Sequence, residues 1–323
     1  MGIKGTYWMR ASWVLLLLLL LGGPAFAQEK IVGEIRYILN TGDGTAAVAG
    51  NDGSYSTTKN NIGNYLFKGD VVIPEEITVG STSYRVTEIQ KNAFSPNTFE
   101  TNFQTWGQSQ ITSITIPRTV TKIDDYAFDY CDRLKAIVVD PANPNYANYN
   151  GEHVLYNKSC TQLIRYPTAL SEAGKAYHVK FGVQTFASGA FEGCRYEEVV
   201  LPRSIRQLDE CCFENFKGLR KVVIPKEVTE VNDYAFMRAS NLELVEVEKG
   251  NPNYASFEGV LFRKENDAEA TLVLYPPARE ADFYFTPLTL KWGDGKTLSV
   301  KNLGRSAFNV CHGLIKLYIH KKN

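Results

Sequence analysis

Few side chains in this sequence could do covalent or metal chemistry, and their spacing scatters them. Cysteines stand at 131, 160, 194, 211, 212 and 311. In an oxidising compartment such a set suggests disulfides. The spacing favours packing instead. Cys131, Cys194 and Cys311 each lie three residues after a corner phenylalanine, in a slot that elsewhere holds Phe216 and Ala239. A slot that accepts Phe or Ala is apolar, and a free thiol there behaves as a small hydrophobe. Cys212 takes the place of the alanine in the same pair. Cys211 falls in a slot shared with Asn92, Tyr126, Gly189, Tyr234 and Ser306, which reads as exposed, and Cys160 falls in a polar hairpin turn. These two are the candidate reactive thiols, given a neighbouring cation or base. His153, His178, His312 and His320 occupy unrelated positions. No His-Glu-x-x-His, Cys-x-x-Cys or paired-carboxylate pattern occurs. Gly42-Asp43-Gly44 lacks the lysine and the strand–helix context of a phosphate loop and reads as a turn. The expectation is no catalytic site, no metal and no cofactor.

The elements that carry these residues form a repeat. Small-Phe pairs recur at Ala93-Phe94, Ala127-Phe128, Ala190-Phe191, Cys212-Phe213, Ala235-Phe236 and Ala307-Phe308, with steps of 34, 63, 22, 23 and 72. The clean period is 22–23 residues. The steps of 63 and 72 are close to three periods and should hide diverged coils; the step of 34 leaves Phe99–Gln110 as a loop. Around each pair lie a β-type run ending in proline (Ile114–Pro117, Val199–Pro202, Val222–Pro225) and a second apolar pair (Val120 with Ile123, Ile205 with Leu208, Val228 with Val231). β-branched runs favour strands, and proline fits where the strand leaves the ladder. One such coil cannot bury its own apolar edge, so neighbours must stack. A larger duplication overlies this: Asn143-Pro144-Asn145-Tyr146 recurs 108 residues later as Asn251-Pro252-Asn253-Tyr254. Each copy leads into an apolar hairpin, Val154–Tyr156 or Val260–Phe262, and then a Tyr-Pro end.

The ends differ from the repeats. Residues 1–27 read as a secretory signal: Lys4 and Arg10, seven consecutive leucines, a Gly-Gly-Pro break, and Ala25-Phe26-Ala27 before a cleavage point at Gln28. The apolar run is too short to span a bilayer, and no cysteine sits at the cleavage point to take a lipid. Arg36–Leu39 and Ala46–Val48 around the Asp-Gly turn read as a β-hairpin, with residues 49–64 as a loop. The domain reading is therefore a signal at 1–27, a hairpin cap and loop at 28–70, and the repeat at 71–323. Lysine plus arginine equals aspartate plus glutamate at 35 each, and the chain after the signal carries a formal −2. That balance gives no reason to expect nucleic acid as partner.

The unit apolar-x-Ile-Pro-x-x-Val-x-x-Ile-x-x-x-Ala-Phe-x-x-Cys-x-x-Leu resembles the BspA-like leucine-rich repeats of bacterial surface proteins, most closely at Asp125–Leu134. The resemblance covers about residues 30–319. It implies a β-rich α/β fold: a leucine-rich-repeat solenoid of short strands and one-turn corners. It also implies an exported or surface-exposed, non-enzymatic protein that binds other proteins, host extracellular-matrix proteins among them. A carbohydrate-binding role, on exposed aromatics such as Trp106 or Trp292, is the alternative. In a leucine-rich strand the residues between core positions face outward. The candidate binding face is therefore Thr115, Val138, Glu198, Val200, Lys221, Val223, Leu244, Glu246, Lys316 and Tyr318, with Val138, Val200 and Val223 expected in one apolar column. Aligned apolar side chains on an outer sheet face suggest a partner surface, although valine also suits any sheet.

Overall fold

Short β-branched runs at a 22–23-residue spacing form parallel ladders, because each coil places its run beside that of the coil before. A computed structural model describes residues 28–50, 68–95 and 109–319. The signal segment 1–27, the Gly/Asn-rich loop, Trp106, most of Phe99–Gln110 and His320 lie outside the described residues. The described residues are strands and turns, with one 3-10 turn at Thr168–Leu170 and no α-helix.

Three ladders carry the outward strand faces. The first pairs Lys68–Val72, Gln110–Ile116 and Ala136–Val139 in parallel. The second pairs Ala176–His178, Glu198–Val200, Lys221–Ile224 and Leu244–Val247, also in parallel, with Glu198, Lys221 and Leu244 in register at 23-residue steps. The third pairs Phe283–Phe285 with Lys316–Tyr318. The strands Ala176–His178 and Phe283–Phe285 belong to the diverged coils inside the two long steps. Proline ends the runs as expected, and the second apolar pairs form two-residue strands such as Gln207–Leu208 beside Glu230–Val231.

The corners are turns closed by side-chain stacking. Phe191, Phe213 and Phe236 stack with centroids 5.6 and 5.2 Å apart, and Phe94 stacks on Phe128 at 5.9 Å. At three corners the backbone turns left-handed two residues either side of the Phe. Tyr126 and Tyr130 do so around Phe128, Cys211 and Asn215 around Phe213, and Gly189 and Gly193 around Phe191. A non-glycine residue held at positive φ costs about 1–3 kcal/mol. The buried ring between them offsets this, since a fully buried Phe contributes about 2–3 kcal/mol. The slot three residues after each Phe is apolar as expected: Cys131, Cys194, Phe216 and Ala239 are fully buried, while Cys311, near the chain's end, is half-buried.

The duplicated Asn-Pro-Asn-Tyr segments interrupt the stack, and their geometry repeats. The Nδ2 of Asn143 donates to the carbonyls of Pro117 and Val120, and its Oδ1 accepts from the N–H of Asn145 and Tyr146. Asn251 does the same with Pro225, Val228, Asn253 and Tyr254. Each asparagine thus ties the proline turn of the preceding coil to its own turn. The tyrosine hydroxyl then accepts the N–H of the second-edge strand, Ile123 for Tyr146 and Val231 for Tyr254, at 2.8 and 2.7 Å. Five residues beyond the asparagine, a polar side chain covers the ladder edge. Asn148 accepts from the N–H of Val139, and Ser256 accepts from the N–H of Val247. The hairpins that follow join separate sheets, Tyr146–Ala147 through Thr185–Phe186 and Tyr254–Phe257 through Thr289–Lys291.

At the amino end Ile35–Asn40 pairs antiparallel with Thr45–Val48, forming the hairpin around the Asp-Gly turn. Thr45–Val48 continues in parallel with Thr82–Ile89, so the hairpin is hydrogen-bonded onto the first coils. Among the described residues the buried apolar side chains gather into three cores, the last of them around Tyr275, Trp292 and Leu298.

Candidate interaction surface

The outward positions fall on three separate ladders. Thr115 and Val138 follow Val72 in the first ladder. In the second, His178, Val200, Val223 and Glu246 share one column, and Ala176, Glu198, Lys221 and Leu244 share its neighbour. Tyr318 stands beside Phe285, and Lys316 beside Phe283, in the third. Val138 therefore does not continue into Val200 and Val223. The Asn148 turn closes its ladder first, and the Ile137 N–H donates to the His153 carbonyl instead of to a further parallel strand.

Exposure differs among the three. Val72 and Val138 are 67% and 38% exposed. Thr115, Glu198, Val200, Lys221, Val223, Leu244 and Glu246 are half-buried, because neighbouring side chains on the same face lie over them. Charged partners frame the valine pair of the second ladder. Lys221 Nζ lies 3.0 Å from Glu246, and Arg220 pairs with both Glu197 and Glu243. These exposed pairs are worth at most about 1 kcal/mol each, so they orient the face more than they stabilise it. In the first ladder Asp70 accepts from the hydroxyls of Ser113 and Thr112 at 2.7 and 2.8 Å, and these bonds hold its carboxyl below the usual range. The third ladder carries three exposed rings, with Phe285 stacked on Tyr318 at 4.4 Å and Phe283 edge-on to Phe285 at 5.7 Å. Phe283 and Phe285 were not among the residues expected from sequence. Their signal is the alternating Phe-Tyr-Phe before Thr286-Pro287, a faint copy of the strand–proline pattern.

The residues singled out for chemistry do not converge. Cys211 is buried, not exposed as expected: its thiol lies against the Tyr126 side chain of a neighbouring corner, and burial pushes its pKa up to about 11. Cys160 is half-buried against the second-ladder core. Trp292 is 5% exposed and sits in the carboxy-terminal core, so it offers no sugar platform. Among the described residues no three His, Cys, Asp or Glu side chains cluster as metal ligands.

One buried polar cluster does form, on the corner side. The Arg165 guanidinium, 3% exposed, donates to Glu192 Oε2 at 3.0 Å, the Gly189 carbonyl at 2.6 Å and Thr168 Oγ1 at 3.1 Å, and lies 3.5 Å from Asp129. Glu192 also accepts from the Tyr130 N–H and from Asn215 Nδ2, so it tethers three successive corners. Burial raises the Asp129 carboxyl to about 8, with Arg165 opposing and Glu192 and Glu214 adding to the rise. The cavity beside it is about 20 Å³, room for about one water. The cluster is a buried staple between coils, not a substrate pocket.

A profile of the BspA-type leucine-rich repeat region matches residues 100–178 and 175–265, in six copies. No curated protein matches the chain. Among solved structures, the chain is similar to the pneumococcal vaccine antigen PcpA, with 23% identity, a TM-score of 0.46, 91% of this chain covered and 65% of that one. It is similar also to a leucine-rich cell-surface protein of Faecalibacterium prausnitzii A2-165, with 22% identity, a TM-score of 0.46, and 92% and 77% covered. A leucine-rich repeat protein of Bacteroides ovatus ATCC 8483 gives 20% identity, a TM-score of 0.38, and 90% and 71% covered. Among the described residues no helix is long and apolar enough to cross a membrane.

Proposed function

The chain belongs to the BspA-type leucine-rich repeat family, and from that premise we propose that it is a non-catalytic, exported protein that binds another protein on the outward faces of its ladders. The observation that carries this reading is the apolar side chains left in water on rigid parallel strands: Val72 and Val138 in the first ladder, Phe285 and Tyr318 in the third. Contiguous apolar exposure marks interaction surfaces, and the touching rings of Phe283, Phe285 and Tyr318 supply it. Stacked repeats offer such a surface without needing chemistry. The leader at 1–27 supports export to the cell exterior, where host extracellular-matrix proteins are the partners to test first.

Carbohydrate capture is the second reading. With Trp292 buried, the exposed rings of Phe283, Phe285 and Tyr318 are what favours it. The test is a panel of matrix proteins and glycans probed with the purified protein at low and high salt. The proposal expects saturable binding to a protein that persists at high salt, because the exposed contacts are apolar. Binding to glycans alone moves the assignment to the second reading, and salt-abolished binding contradicts an apolar face.

A further inference from the structure

A polar cleft opens where the amino-terminal sheet meets the first coils. The antiparallel strands Glu76–Val79 and Thr82–Ile89 form one wall, with Glu76 opposite Arg85. The turn closed by the Val120 N–H on the Pro117 carbonyl forms the other. The space between them is about 580 Å³, within the range of about 300–1,000 Å³ typical of small-ligand sites. Every described lining side chain is polar: the carboxylates of Glu75 and Glu76, the guanidiniums of Arg85 and Arg118, and threonine hydroxyls.

The two walls are tied to each other. The Val86 N–H donates to the Glu75 carbonyl and the Thr121 N–H to the Thr87 carbonyl, both at 2.9 Å. Arg118 donates Nε and Nη2 to Glu75 Oε2 at 3.1 and 3.0 Å, and Thr119 Oγ1 donates to the Glu75 carbonyl at 3.4 Å. The cleft is therefore preformed, which keeps the ordering cost of binding low. Its charges are unevenly matched. Arg118 has its counter-charge in Glu75, and Glu76 Oε1 accepts from the Ser83 hydroxyl. Among the described residues Arg85 has no carboxylate in ion-pair contact, and the hydroxyls of Thr87 and Thr121 make no hydrogen bond.

We propose that this cleft binds a sugar carboxylate, the uronate or sialate residue of an acidic glycan. The planar fork of Arg85 takes the carboxylate through two parallel N–H···O bonds. Glu75 Oε1 and Glu76 Oε2, the oxygens left over, accept from sugar hydroxyls, and Thr87 and Thr121 donate or accept as the ring requires. A lipid or an aromatic ligand would bring apolar surface to a cleft with no apolar side chain to cover it. An inorganic anion would use Arg85 and leave both carboxylates opposing it. None of the lining residues is an outward strand position, so the site stands independently of protein binding on the ladders.

The test is isothermal titration calorimetry on the purified protein at low salt, with tri-galacturonate and sialyllactose, each beside its methyl ester. The two acids separate the uronate from the sialate source. At least one acid should bind saturably. Its ester, which loses the charge and keeps the hydroxyls, should bind about tenfold more weakly. Arg85→Ala should weaken the acid by about tenfold and leave it no better than the ester, as expected of groups that pair directly. Thr121→Val should weaken acid and ester alike. Lys301→Ala, which removes an exposed lysine elsewhere, should change neither. Arg85 is exposed, so its loss should not move the melting temperature; if it does, the comparison of acid with ester on wild type decides. A glycan held on the rings of the third ladder would not respond to Arg85→Ala. Equal binding of acid and ester, a preference for the acid that survives Arg85→Ala, or no saturable binding of either acid at millimolar concentration overturns the proposal. Binding of free glutamate in place of both sugars overturns it too.

Discussion

Replacing Asn251 by leucine removes four hydrogen bonds from a site that is 5% exposed. The amide donates to the carbonyls of Pro225 and Val228 at 3.0 and 3.1 Å, and its oxygen accepts two N–H groups at 2.8 Å. Each buried group left without a partner costs about 1–3 kcal/mol. The Pro225 carbonyl keeps a second partner in the Val228 N–H, and water can reach the turn once the side chain is gone. The expected loss is therefore about 3–5 kcal/mol, well below the sum of four full penalties. Asn251→Asp keeps the shape and both accepted bonds but turns an oxygen toward two carbonyls. Its carboxyl would be raised above the ordinary value, so the folded state would bind the extra proton and the damage should ease as the pH falls toward about 4. Urea unfolding followed by far-ultraviolet circular dichroism, at pH 7 and pH 4.5, measures both effects. Asn143 makes the same four bonds, so Asn143→Leu should cost the same within about 1 kcal/mol. A loss below about 1 kcal/mol at both sites, with an unchanged slope against urea, would refute the view that these asparagines tie one coil to the next.

Two further outcomes follow from the buried groups. Asp129 holds a proton more readily in the folded than in the unfolded chain, so stability should fall as pH rises from the ordinary aspartate value near about 4 through about 8; Asp129→Asn should flatten that slope in thermal melts, and an unchanged slope would show that the carboxyl is already ionised. Burial pushes the thiols of Cys131 and Cys194 up to about 12 and raises that of Cys212 well above its ordinary value. A thiol reagent at pH 8 should therefore label Cys160 and Cys311 first and those three only on unfolding; rapid labelling of the buried three would contradict the packing assignment.

The repeat was legible because it rests on local rules: β-branched runs, prolines that end them, and a corner phenylalanine with its apolar slot. Those features reappear as ladders and stacked rings at the residues that carry them. Three things were not legible, each because it depends on what packs across the coil. Cys211 shares its slot with polar residues, and whether its side chain turns inward depends on the neighbouring corner at Tyr126. Trp292 looks like a free aromatic in a polar stretch, but it joins the apolar core that Leu290 and Leu298 form with Val260, Phe262, Ala270 and Leu272. Val138 has the outward position that alternation assigns, but the column ends there because Asn148, ten residues on, closes the edge by accepting the Val139 N–H. The Asn-Pro-Asn-Tyr repeat was visible as a duplication, and its job as an edge cover was not.

The most direct measurement of the central claim is the affinity of a partner from the matrix panel for wild type, Val200→Glu and Val223→Glu. Both valines are half-buried in one column of the second ladder and point away from the core, so circular dichroism and melting temperature should stay at wild-type values. Loss of an apolar contact and burial of a charge should weaken binding by about tenfold or more in each variant. Unchanged dissociation constants in both folded variants would contradict recognition through the second ladder and leave the outward strand face without its proposed role there.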